Sequence, residues 1–165
     1  MNINNRFNIS LLWSVTKLAK INPKEVVVGL DVGRSGVKLA FLFNNELKTH
    51  FIPSVVSPAK QLTFDANPSV TKENTIEVDG QLFFVGDTAI EQGASQTVGL
   101  NDNWLEGVEH KALLQRSKTF LKSYGVIPRM VVAGLPINTF NSSAELLFKQ
   151  VKATFGCAVL PVPQP

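Results

Sequence analysis

The chain has 165 residues, 44% of them apolar and 18% charged, enough to bury a core the size of one domain, and this excludes an intrinsically disordered protein. Its only cysteine, Cys157, excludes an internal disulfide, reads as a small core residue between Gly156 and Ala158, and points to a reducing, cytoplasmic setting. The net charge of +3 resides in residues 1–24, where Arg6, Lys17, Lys20 and Lys24 stand without an acid, so the rest of the chain is close to neutral.

No stripe of Lys and Arg interleaved with aromatics follows, so no direct nucleic-acid site is expected. His50 and His110 are far apart and lack neighbouring Cys or His, which argues against a zinc site.

Residues 1–24 read as an extension to a domain that occupies residues 25–165. Leu11, Val15 and Leu18, with Leu12 and Ala19, recur at helical spacing. The expectation is a loosely held segment, with a helix packed on this domain or on a partner and a membrane-touching anchor as alternatives. The apolar stretch is too short and too interrupted for a membrane span, so membrane contact is the less favoured.

From Val26 the chain turns strongly β-forming. Val26-Val27-Val28-Gly29-Leu30-Asp31 has three β-branched residues in a row and suits a strand buried on both faces. Gly33 and Gly36 then bracket Arg34 and Ser35, and apolar residues return from Val37 to Phe43, giving a β-hairpin with polar chemistry at its tip. A turn of this kind can aim successive N–H groups at one spot, and such a nest holds a phosphate without a side chain in the way. Asp31 would repel a bare phosphate, so its place beside one requires a hydrated Mg²⁺ between them, while Lys38 supplies a compact positive charge.

Asn44-Asn45 makes the next turn, and about Lys48 to Val56 reads as a third strand of an antiparallel meander. Ser57 to Asn74 carries Pro58, Asn67 and Pro68 and reads as an irregular connection. Asp79-Gly80 joins the runs Thr75–Val78 and Gln81–Val85 as a two-residue hairpin turn. A short helix from Thr88 to Gln92 follows, with Asp87 at its N-terminus rather than as a catalytic acid. Residues 93–102 read as a polar loop.

A partly amphipathic helix spans about Gly107 to Tyr124 and stops at Gly125; Leu113, Leu114 and Phe120 face the sheet. Met130 to Gly134 is a second apolar strand, and a helix between two such strands is the grammar of a sheet with parallel members. Ser142-x-x-Glu145 reads as the capping box of a helix running to about Thr154, ended by Gly156. A final strand is expected at Ala158 to Leu160.

Gly29-Leu30-Asp31-Val32-Gly33-Arg34-Ser35-Gly36-Val37-Lys38 resembles the first phosphate motif of the superfamily that joins actin, heat-shock ATPases and sugar kinases. Its D-x-G-x-x-x-x-K form is similar to that of the actin-like plasmid-segregation ATPases, the ParM/StbA group. Sugar kinases usually have Thr or Ser where Lys38 stands.

The resemblance covers roughly Val26 to Pro165, about the first half of such a protein. It implies a ribonuclease H-like α/β fold, the N-terminal domain of an actin-like ATPase. That fold has a mixed sheet starting with the three-stranded meander, flanking helices and a small inserted hairpin lobe. It also implies ATP and Mg²⁺ as ligands, held by Asp31 (through water to the metal), Gly33, Arg34, Ser35, Gly36 and Lys38.

Phe51-Ile52-Pro53-Ser54-Val55-Val56 resembles a segment near the cleft of such proteins, making Ser54 a weaker candidate, and Gly134-Leu135-Pro136 resembles their G-L-P element. Gln164 stands where the family orients the attacking water. The chain ends before a second Asp-Gly phosphate loop, so the expectation is a truncated protein or a lobe completed by another chain. Partners implied are nucleotide, further copies in filaments, or a complementary lobe. An interaction module without catalysis, or a lobe of a related sugar kinase or phosphatase, is the alternative.

Overall fold

The computed structural model describes residues 25–60, 67–92 and 103–164. The expectations for residues 1–24 and for the loop 93–102 lie outside the described residues.

The central sheet starts with β1 (Glu25–Val32), β2 (Gly36–Phe43) and β3 (Glu46–Pro53), paired antiparallel in sequence order. The turn between β2 and β3 places Asn44 and Asn45 at φ 52° and 63°, the left-handed region that Asn tolerates. Along β1 and β2, Val28, Leu30, Val37, Leu39 and Phe41 are buried. The alternating Val27 is 46% exposed and Leu42 58% exposed, so among the described residues β1 is covered on one face only, which corrects the expectation of burial on both.

The third strand is shorter than expected at its far end. Ser54 and Val55 leave the sheet, and β4 (Val56–Pro58) joins a second, antiparallel sheet with order β4-β6-β5, made with β5 (Thr75–Val78) and β6 (Gln81–Val85). Its tight turn, Asp79-Gly80, has φ 50° and 80°. Within the connection read as irregular, Pro68–Glu73 forms a short helix, α1, with proline in its first turn, where the missing N–H has no helical partner to lose. Helix α2 is Asp87–Glu91, with Asp87 in its first turn.

Helix α3 (Val108–Ser123) runs close to the expected span and is followed by Gly125 at φ 66°. It leads into β7 (Ile127–Pro136), which pairs parallel with β1, and β8 (Ala158–Gln164) pairs parallel with β7, giving the order β3-β2-β1-β7-β8.

Two expectations at this end are corrected. Helix α4 spans Ile137–Phe155, so Ser142 lies inside the helix and caps nothing. Its Oγ donates to the Thr139 carbonyl at 3.0 Å, and Glu145 pairs with Lys149, a turn later, at 2.7 Å. Strand β8 runs through Pro161 and Pro163 to Gln164 rather than stopping at Leu160. The two prolines are two residues apart on a strand that is at the sheet edge among the described residues, so both missing N–H groups fall on the side with no described partner strand.

Helices α3 and α4 share one face of the sheet: Leu113, Leu147 and Val151 join Val28, Leu39 and Val131 in one core. Cys157 packs against this core but is only partly buried, so it is less enclosed than the sequence suggested. Burial raises its thiol pKa.

The small sheet is tied to α3 by a buried polar chain. Arg116 Nε donates to Asn74 Oδ1 at 2.6 Å, and Asn74 Nδ2 donates to Thr88 Oγ1 at 3.0 Å. Arg116 is 8% exposed, and burial lowers its pKa against the pull of Glu73 and Asp87. Asn74→Ala removes the acceptor while leaving the cation buried. A loss of about 2 kcal/mol is expected, read as a lower midpoint in urea denaturation at unchanged slope. An unshifted midpoint would mean that the chain does not hold the small sheet in place.

Candidate functional site

The first site residue is placed by strand register. Asp31 and Lys38 are direct partners across β1 and β2, and Lys38 Nζ lies 3.4 Å from Asp31 Oδ2. The Lys38 side chain is 66% exposed, so the pair contributes little to stability and both groups remain available to a ligand.

The turn between them is closed by the Gly33 N–H donating to the Gly36 carbonyl at 3.1 Å. This donor is therefore spent inside the turn, whereas the Arg34 and Ser35 N–H groups have no acceptor among the described residues. Gly36 lies under the half-exposed Phe51 ring, which a Cβ there would have to push aside. Ser54 is fully buried behind the turn. Its Oγ donates to the Gly33 carbonyl at 2.6 Å and its N–H to the Ser35 carbonyl at 3.3 Å. The residue that reads weakest in sequence thus clamps the loop from below.

Gln164 ends β8 at the same end of the sheet as Asp31. Its side chain lies over Gly134 of β7, where any Cβ would overlap it. The G-L-P segment therefore makes room for this glutamine.

A cavity of about 450 Å³ opens here, a size suited to a small-molecule ligand. Of the expected residues, Asp31, Gly33, Arg34 and Gln164 line it. Ser35, Gly36 and Lys38 do not; the first two shape the turn, and Lys38 reaches the site through Asp31. The wall also includes Trp104, Asn138, Thr139, Ser142 and Ser143, which the sequence analysis missed as site residues. The four on α4 were hidden because that helix was expected to begin later, which kept its first turns out of the site, and Trp104 carries no local signal. A smaller cavity of about 260 Å³ between the Asp79 turn, α3 and α4 lies apart from these residues.

The donor set fits a hydrated metal and phosphate better than a directly ligated ion. No group of three or more His, Cys, Asp or Glu gathers among the described residues, so Asp31 would act alone, through water. The two histidines are engaged elsewhere: His50 stacks on Phe120 with centroids 3.7 Å apart, and His110 meets Trp104 edge-on. Among the described residues no helix is long and apolar enough to cross a membrane.

Solved structures share this fold. The chain is similar to apo ParM of pSK41, with TM-score 0.59 and 17% identity over 86% of this chain and 50% of that one. It is similar to AlfA from the B. subtilis plasmid pLS32 in its filament, with TM-score 0.58 and 15% identity over 84% of this chain and 55% of that one. Apo ParM from Bacillus thuringiensis gives TM-score 0.56 and 15% identity over 86% and 46%. The chain thus spans about half the length of these proteins, and the likeness is one of fold. No curated protein matches it. The family profile of the actin-like protein N-terminal domain matches residues 29–161, most of the chain. With the mixed sheet, the flanking helices and the small hairpin sheet in place, the chain belongs to the family of actin-like protein N-terminal domains.

Proposed function

We propose that this chain is the nucleotide-phosphate-binding lobe of an actin-like ATPase of the plasmid- or DNA-segregation filament type, with ATP and Mg²⁺ as its ligands. The observation that carries the reading is the meeting of Asp31 and Gln164, from opposite ends of the described chain, at one cavity that Gly33 and Arg34 also line.

In this reading the Arg34 and Ser35 N–H groups and the Lys38 ammonium hold phosphate oxygens, and Arg34 extends the positive charge into the cavity. Asp31 would hold the waters of a bound Mg²⁺, which would supply charge neutralisation at the phosphates. Gln164 orients a water for attack, with its amide positioned across Gly134. Phosphoryl transfer is catalysed mainly by positioning and electrostatics, which require closed surroundings on both sides of the nucleotide. A complementary lobe, and self-association of the kind that gives AlfA its filament, belong to the same proposal. So does a cytoplasmic location, which a lone, unpaired cysteine suits.

Titration of the 165-residue chain with Mg-ATP should give a Kd of roughly 1 mM, about −4 kcal/mol, without turnover above background. Lys38→Ala should abolish the binding and leave the melting temperature unchanged, because the side chain is exposed. Steady hydrolysis indifferent to Asp31→Ala and Lys38→Ala would overturn the assignment.

A further inference from the structure

Ser54 is fully buried, yet both of its hydrogen bonds serve a turn at the surface, where Arg34 and Ser35 are exposed. A carbonyl in such a turn bonds to water almost as well as to protein. A hydroxyl brought from the interior to 2.6 Å from the Gly33 carbonyl is therefore not needed for satisfaction alone. What water does not do is fix the direction of the peptide.

Little else fixes it. Glycine has the widest backbone freedom of any residue, and the Gly33 N–H is already held on the Gly36 carbonyl at 3.1 Å. The Gly33–Arg34 peptide is then left to rotate about the Gly33 Cα–C bond, and the Ser54 hydroxyl stops that rotation. In a trans peptide the N–H points opposite to the carbonyl, so with the Gly33 carbonyl on Ser54 the Arg34 N–H leaves on the other side. Gly33 and Arg34 line the cavity and Ser54 does not. The Ser54 N–H holds the Ser35 carbonyl at 3.3 Å, so the Arg34–Ser35 peptide lies between two anchored neighbours.

Ser54 is itself held from behind. It follows Pro53, which pairs with Gly36 at the end of β3. It precedes Val55, whose carbonyl accepts the Gly86 N–H at 2.8 Å and whose side chain packs with Phe84 and Ala89.

We propose that Ser54 is a positioning residue for phosphate: through the Gly33 and Ser35 carbonyls it holds the Arg34 and Ser35 N–H groups aimed at the phosphate oxygens of the ligand. The proposal rests on the phosphate-binding reading above and gives a share of the affinity to a residue that never touches the ligand. Hydrogen bonds from N–H groups to an anion are strong and direction-sensitive. A turn free to rotate offers its donors only part of the time, and the apparent affinity falls by that fraction.

The test is a titration of the ¹⁵N-labelled full chain with Mg-ATP, following each amide. In wild type the Arg34 and Ser35 amides should shift with the same midpoint as the rest of the site. Ser54→Ala should raise Kd about tenfold or more and shrink the Arg34 shift. Asn74→Ala is the control for stability, since it also breaks a buried hydrogen bond but lies outside the cavity; its Kd should stay within about twofold of wild type.

Equal affinity in wild type and Ser54→Ala would overturn the proposal and leave the phosphate-binding reading intact. So would a loss of affinity that Asn74→Ala shares, because Ser54 would then act only through stability. An Arg34 amide that ignores Mg-ATP while the rest of the site responds would reject it from wild type alone. Wild type in which no amide responds to Mg-ATP would defeat the phosphate-binding reading, and this proposal with it.

Discussion

Val28→Asp is expected to abolish cooperative folding. Val28 is fully buried at the centre of the central strand, with Phe41 its partner on β2 and Val131 its partner on β7. Its side chain lies in the core shared with Leu113 of α3, so a carboxylate there has no water and no cation to meet. An unpaired buried charge costs several kcal/mol, against a total stability of about 5 to 15 kcal/mol for a domain of this kind. Protonation of the introduced acid would lower the penalty without removing it, since a neutral carboxyl still loses its hydrogen bonds to water.

Val28→Thr is the control: nearly the same shape, one buried hydroxyl, and an expected cost of about 1 to 2 kcal/mol with a sharp transition retained. Circular dichroism against urea concentration distinguishes the two. A soluble Val28→Asp chain with a steep transition would show that β1 is not the core strand of this fold.

The reason this strand could be identified from sequence is that its signals agree. Three consecutive valines, a glycine-bracketed turn and a second apolar run fix a hairpin, and the hairpin fixes the register that sets Asp31 opposite Lys38. The Asn44-Asn45 and Asp79-Gly80 turns were legible for the same reason, because both demand left-handed backbone at neighbouring positions and the residues there tolerate it.

What sequence did not disclose is set by contacts between distant segments. Ser54 looks like an ordinary strand end until its hydroxyl is found on the Gly33 carbonyl. Strand β8 was cut short at Pro161 because prolines usually end strands; only its position at the sheet edge makes Pro161 and Pro163 harmless. The start of α4 was misjudged because Ser142 and Glu145 have the spacing of a capping box, a local pattern that the helix overrides by starting directly after Pro136. That error also concealed the side of the cavity built by Asn138, Thr139, Ser142 and Ser143.

The second large effect is expected from acid, through His110. This residue, in the first turn of α3, is fully buried, and neither ring nitrogen has a hydrogen-bond partner among the described residues. Burial pushes its pKa down from 6.5 to about 4. Gln150 pulls the other way: its Nε2 is committed to the Leu105 carbonyl at 2.6 Å, which leaves its buried Oε1 as the acceptor for a ring N–H.

In the unfolded chain the same imidazole takes up its proton near pH 6.5, so between there and about pH 4 the unfolded state binds more protons than the folded one. The stabilisation is therefore complete above pH 6.5 and is lost as the pH falls towards 4, amounting to about 3 kcal/mol. His50, whose pKa is also lowered chiefly by burial, adds a loss of the same sign, so the wild-type slope alone does not isolate His110.

His110→Phe does isolate it. The substituted ring can keep the edge-on contact with Trp104, now at 4.9 Å between centroids, and it leaves no buried nitrogen to protonate. Urea unfolding of both proteins between pH 7 and 4 should show the variant losing about 3 kcal/mol less than wild type. Because Trp104 and Leu105 line the cavity beside Asp31, charging His110 displaces the wall of the candidate site, and the emission of Trp104 should shift in the same pH range in wild type only. Equal slopes for the two proteins would mean that His110 reaches water in the folded state and that the packing around Trp104 is looser than described.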